Sequence, residues 1–315
     1  MTTEPEVRRT LSEPAARQLA NATKTRPQWS GITPRWLISF LPWVPVEAGI
    51  YRLNRVKEAV GLTDADVQCS PARDRDADLP ETFVPYEDAP REYFLNAVTT
   101  VLDVQTRVSD LYNHPYDQIQ EQVRLLTEKV KEQQESELIN NPEYGFLANA
   151  APPMKIKTRT GAPTPDDLDE LIARVWKEPA FFLAHPRAIA AFEREATRRG
   201  LPPVTVTLFG SAFLTWRGLP LVPSDKLYID EKGKTNILLL RVGEKKQGVV
   251  GLFQPGIPGE VAPSLSVRFM GINRKAIASY LISLYSSAAV LTYDALGVLE
   301  EVEVGKYHKY DDKYF

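Results

Sequence analysis

Between Tyr116 and Asn140 the chain contains neither proline nor glycine. Such a stretch can run as one helix of more than about 20 residues, long enough to cross a domain. Within it Ile119, Val123, Leu126 and Val130 repeat at three- and four-residue steps, and Leu138 extends the stripe beyond a polar gap. The other faces carry Glu, Gln and Lys and are expected to meet solvent or an enclosed lumen. Asn140-Asn141-Pro142 ends the pattern.

The segments that follow turn from helix to strand. Thr164-Pro165-Asp166-Asp167 is a helix start, with Thr at the N-cap, Pro at N1 and acid in the first turn, and Leu168, Leu171, Ile172 and Val175 form its buried stripe. A short strand over Phe181–Leu183 leads to His185-Pro186. A second helix then turns Ile189, Phe192 and Ala196 inward and ends at Gly200. Val204–Phe209 alternates, and Leu214–Val222 reads as a bent hairpin around Gly218. Asn236–Val242, apolar except for Arg241, reads as a central strand. Gly248–Phe253, Ser264–Phe269, Tyr280–Leu291 and Leu296–Val304 are further strands. The pattern predicts a mixed α+β fold, helices first and sheet after.

The first third is less regular. Residues 1 to about 30 are polar and read as an arm, with a short helix over Pro14–Ala22. From Gly31 to Pro45 the chain is aromatic, apolar and broken by prolines, so it suits neither a long helix nor a strand and must be buried against something. Ile50–Val56 alternates, and Cys69–Leu79 is charged like an exposed loop tip. Ala97–Val108 fits both periods, its Val and Thr content leaning towards strand. Together these segments suggest a two-stranded arm with a charged tip.

Composition excludes several functions. Apolar residues make up 43% and charged residues 25% of the 315, as in an ordinary globular protein. Lys plus Arg number 38 against 41 Asp plus Glu, so no basic excess is available for nucleic acid. One cysteine, Cys69, permits no internal disulfide and fits a reducing cytosol. His114, His185 and His308 lie far apart, in no metal-ligand spacing. No signal peptide is read at the N-terminus, and Trp36–Val46 is too short to span a bilayer.

Each candidate for chemistry has a plainer structural role. Pro255–Glu260 lacks the Lys-Ser/Thr of a phosphate loop and reads as a hairpin loop, and Ser211 does not sit in G-x-S-x-G. Asp166 and Asp167 are expected to serve the helix start, and His185 to cap its helix. No catalytic, cofactor-binding or metal-ligating residue is assigned.

Longer segments carry a family resemblance. Thr33-Pro-Arg-Trp-Leu, Leu41-Pro-Trp-Val-Pro-Val-Glu-Ala-Gly-Ile-Tyr-Arg, Thr158–Asp169, Phe181-Phe-Leu-Ala-His-Pro and Ser264–Asn273 resemble the shell proteins of the family 2 encapsulins. The chain has no stretch long enough for an inserted cyclic-nucleotide-binding domain, so the similarity is to subgroup 2A.

The resemblance implies a Hong Kong 97-type phage capsid fold. Its expected parts are an N-terminal arm (1–45), an extended loop (46–112), a peripheral domain with a long spine helix (113–163), an axial domain (164–260) and a return to the peripheral domain with a C-terminal tail (261–315). It also implies a cytoplasmic icosahedral homo-oligomer of ~60 subunits with no enzyme activity. The cargo it implies is a cysteine desulfurase of sulfur metabolism, held on the inner face through contacts the sequence does not specify. A domesticated prophage capsid protein is the alternative, and an unrecognised enzyme a more remote one. Two sets of residues follow from that anatomy. Trp36, Leu41 and Trp43 are expected to anchor the N-terminal block on a neighbouring subunit. Arg198, Arg199, Gly200, Leu201, Pro202 and Pro203 either line a five-fold pore or merely cap a helix, since Arg in a last turn followed by Gly does that unaided.

Overall fold

The computed structural model describes Pro14 and residues 28–55, 86–105 and 118–307. The polar arm before residue 28 (Pro14 itself apart), the charged tip Cys69–Leu79, and His114 and His308 lie outside the described residues.

Two sheets organise the chain. The first comprises β1 (Trp43–Pro45), β4 (Asn96–Gln105), β11 (Val249–Phe253), β12 (Glu260–Ala262), β13 (Leu265–Ile272) and β14 (Ile277–Val290). β14 is its axis: residues 278–284 are paired with both β13 and β4, and the last residues of the strand pair with β11. The second is seven-stranded, in the order β5 (Lys155–Lys157), β15 (Leu296–Glu303), β10 (Lys234–Leu240), β6 (Phe181–Ala184), β9 (Leu219–Pro223), β8 (Ser211–Trp216), β7 (Val204–Leu208). A separate hairpin pairs β2 (Ile50–Leu53) with β3 (Arg91–Phe94).

The seven-stranded sheet is buried on both faces at its centre, as the apolar run in β10 predicts. Alternation divides each strand between two cores. Phe182, Ala184, Ile237 and Leu239 face α4 (Pro165–Arg174) and α5 (Pro186–Arg198), which contribute Leu168, Leu171, Phe192 and Ala196. Phe181, Leu183, Leu238 and Leu240 face the opposite way, onto Leu37 of α1 (Trp36–Phe40), Leu138 and Ile139 of α2 (Gln118–Asn140) and Phe146 of the short α3 (Phe146–Asn149). The predicted long helix is α2. Its earlier apolar positions Val123, Leu126 and Val130 lie on Leu265, Ile282 and Leu284 of the six-stranded sheet, so one helix packs on both sheets. The predicted cap of α4 is present as a full capping box between Thr164 and Asp167, and His185 Nδ1 caps α5 by accepting from the Arg187 amide at 3.0 Å.

Two expectations need correction. The strand over 96–105 does not form the arm's second strand; it pairs along β14, and the partner of Ile50–Leu53 is Arg91–Phe94. The polar faces of α2 are not all solvated: Glu132, Gln134, Glu135 and Ser136 are buried. The helical stripe marks apolar contacts only. It is silent about carboxylates whose partners come from distant segments.

Candidate assembly surfaces

The chain enters the fold along α2, and three glutamates of one helical face hold it there. Glu128, Glu132 and Glu135 stand at i, i+4 and i+7. Arg35 reaches Glu128 at 2.7 Å and Glu132 at 3.0 Å. Glu132 also accepts from the Thr33 amide and hydroxyl, both at 2.8 Å, and from Lys226 at 2.9 Å. Burial pushes the Glu132 carboxyl up, but Lys226 and Thr33 outweigh it and hold it below the usual range. Arg35 sits at φ 50°, a left-handed conformation that the two carboxylates help fix.

Glu135 is different. It is 1% exposed and accepts from the Leu37 amide and the Ser224 hydroxyl, each at a long 3.3 Å. Burial raises it to about 7, because the Leu37 N–H and the nearby Lys226 charge offset only part of the desolvation. It borders a cavity of about 270 Å³ also lined by Thr33, Arg35, Trp36 and Asp225.

The same chain buries the proposed anchors to different degrees. Leu41 is 3% exposed in the core with Leu138 and Val290, so it has no surface left for a neighbouring subunit. Trp36 and Trp43 are half-buried. Trp36 packs edge-on to Phe213, with ring centroids 5.1 Å apart, and Trp43 donates its indole N–H to the Ile38 carbonyl at 3.0 Å. Trp43 also lies over Gly251, where an added Cβ would meet the indole at 2.6 Å. The prolines that prevent a long element here permit two short ones, α1 and β1, which fold the block onto its own core.

At the end of α5, Gly200 has φ 74°. Its amide bonds to the Thr197 carbonyl at 2.9 Å and the Leu201 amide to that of Ala196 at 2.9 Å, the paired bonds of a Schellman cap. Arg198 pairs with the buried Glu195 at 2.9 Å, and Arg199 lies 3.9 Å from it. Leu201 and Pro202 are exposed, so the turn presents an apolar rim beside two partly neutralised arginines.

Further on, β7 exposes Val204 (71%) and Val206, and the turn after it exposes Phe209 (64%). Phe269, Met270 and Ile272 of β13 form a second exposed apolar set. Sequence reading found the alternation in these strands but not their exposure, which depends on β7 ending its sheet. Among the described residues no group of three or more His, Cys, Asp or Glu could hold a metal ion, and no helix is long and apolar enough to cross a membrane.

This architecture has named relatives. A family model described as "Type 2A encapsulin shell protein SrpI-like" matches residues 53–306. The type 2A encapsulin shell protein SrpI of Synechococcus elongatus is 68% identical over 300 residues, covering 95% of this chain and 96% of that one. The type 2A encapsulin shell protein of Mycolicibacterium paratuberculosis is 60% identical over the same share. Among solved structures, the holo-SrpI encapsulin complex from Synechococcus elongatus PCC 7942 matches with TM-score 0.82 and 64% identity, covering 96% of this chain and 99% of that chain. The capsid of a native GTA particle (TM-score 0.60, 13% identity, 89% of this chain and 94% of that one) shares the fold alone. The fold is thus the phage-capsid type, and the chain belongs to the type 2A encapsulin shell proteins, a structural rather than an enzymatic family.

Proposed function

We propose that the chain closes into an icosahedral shell of ~60 copies in the cytosol and encloses a cysteine desulfurase on its inner face. One observation carries the reading: the likeness to a shell protein runs through 95% of this chain and 96% of the relative. The smallest shell is favoured because a larger one would force a single sequence into several inequivalent environments. Its mass would be on the order of 2 MDa for a 35.4 kDa chain. The desulfurase rests on the resemblance to subgroup 2A.

In that shell the six-stranded sheet with α2 serves as the peripheral unit and the seven-stranded sheet with α4 and α5 as the axial unit. The exposed sides of Trp36 and Trp43 meet a neighbour, and the turn Arg198–Pro203 rims a five-fold channel. Size-exclusion chromatography with negative-stain microscopy tests the assembly, and co-expression with a cysteine desulfurase tests the cargo. Uniform hollow particles that co-purify with the enzyme are expected. A monomer or dimer at micromolar concentration ends the shell reading, and particles filled with nucleic acid favour a capsid instead.

A further inference from the structure

Among the described residues, the outer strands of the two sheets and the hairpin are guarded, with one exception. An open strand edge offers unpaired N–H and C=O groups to any passing chain, and proteins blunt it with charge, proline or cover. β5 carries Lys155 and Lys157, β12 Glu260, β1 Pro45 and β4 Asp103; the hairpin strands carry Arg52, Arg91 and Glu92. β7 carries Val-Thr-Val-Thr-Leu, and from Gly200 to Trp216 no residue is charged. Among the described residues β7 pairs with β8 alone, and four of its five side chains are exposed.

The register identifies the groups left open. β7 and β8 are joined by the two-residue turn Phe209-Gly210, at φ 51° and 75°, with Leu208 opposite Ser211. In such a hairpin the closing pair is hydrogen-bonded and the bonding alternates from there, so Leu208, Val206 and Val204 bond to β8. The amides of Thr205 and Thr207 therefore point to the free edge. Both ends of this edge are apolar as well, with Leu201 before it and Phe209 after it.

We infer that the free edge of β7 is covered by the backbone of a second copy of this chain in the assembled shell. This rests on the shell reading above. Another copy is the partner a shell protein always has beside it, and only a polypeptide edge satisfies a row of alternating donors and acceptors while covering uncharged, β-branched side chains.

Hydrogen exchange on the full-length wild-type chain tests the inference, comparing the peptide over residues 203–209 in intact shells with chain pulse-labelled immediately after alkaline dissociation. Slowing of at least about tenfold in the shell, at two amides, is expected. Equal and fast exchange in both states overturns the inference. So does protection already present in the dissociated chain, which would assign the cover to this chain's own residues. Val204→Lys with Val206→Lys gives the second reading: both positions are exposed, so circular dichroism should be unchanged while the megadalton peak is lost. Wild-type yield of particles from that variant counts against the edge contact. A wild-type chain that never assembles fails the shell reading first, and the edge contact with it.

Discussion

Replacing Glu135 by Gln should stabilise the protein, and the gain should grow with pH. The substitution keeps the shape and an oxygen to accept from the Leu37 amide and the Ser224 hydroxyl. What it removes is a buried charge. Glu135 titrates at about 7 in the fold against a reference of 4.5. Between those values the folded chain keeps a proton that the unfolded chain has released, so stability falls as pH rises through the window. At ~1.4 kcal/mol per pH unit the full penalty is about 3 kcal/mol above pH 7, and it vanishes below the unfolded value. Glu128 and Glu132, which Arg35, Lys226 and Thr33 hold below the usual range against their burial, act in the opposite sense and lose their contribution in acid. Subtracting variant from wild type cancels them. Thermal unfolding at matched protein concentration should give near-equal midpoints at pH 4.5 and a variant higher by about 6 °C at pH 8.5. A gap that stays constant with pH, or that favours the wild type in base, would refute the assignment of the charge to Glu135.

Two further outcomes follow. Arg241 is 2% exposed, and Asp294 binds it at 2.7 Å, with Thr292 also at 2.7 Å. Asp294→Ala strands the guanidinium and should cost about 3–5 kcal/mol by denaturant titration. Burial pushes the Asp294 carboxyl up, but Arg241 and Lys177 hold it well below the usual carboxylate range, so the pair's contribution persists above about pH 4 and is lost only in stronger acid. Arg198→Glu with Arg199→Glu in loaded shells separates pore from cap. Slower cargo turnover with altered salt dependence, relative to free enzyme, supports the channel, and unchanged turnover with a lower melting temperature leaves the arginines as caps that neutralise Glu195.

The features legible in the sequence were those whose cause is local. The length of α2 follows from the absence of proline and glycine, and its stripe from residues within a few turns. The starts of α4 and α5 follow from Thr164-Pro165 and His185-Pro186, and the end of α5 from Gly200, where the backbone needs a positive φ. Pairing was not legible in the same way. That 96–105 is extended is a property of its Val and Thr residues, but its partner is β14, some 180 residues away, and nothing within the strand names it.

The buried glutamates show the same division at the level of single residues. From sequence, Glu132 and Glu135 belong to the polar face of a helix, and that face should be wet. Glu132 is buried because Thr33 and Arg35 arrive from almost 100 residues upstream and Lys226 from as far downstream, together supplying enough donors to replace water. Glu135, one turn further, receives two long hydrogen bonds from the described residues, too little to offset the burial that raises its carboxyl. The aromatic block follows from the same contacts. Trp36–Phe40 reads as a surface in need of a partner only while α2 is taken to be solvated on that side. Once three carboxylates of α2 draw Thr33, Arg35 and the Leu37 amide inward, Leu37 is carried into the core and Trp36, Ile38 and Phe40 are packed against it, so the block's own chain covers part of its surface and leaves only the exposed sides of Trp36 and Trp43 for a neighbour.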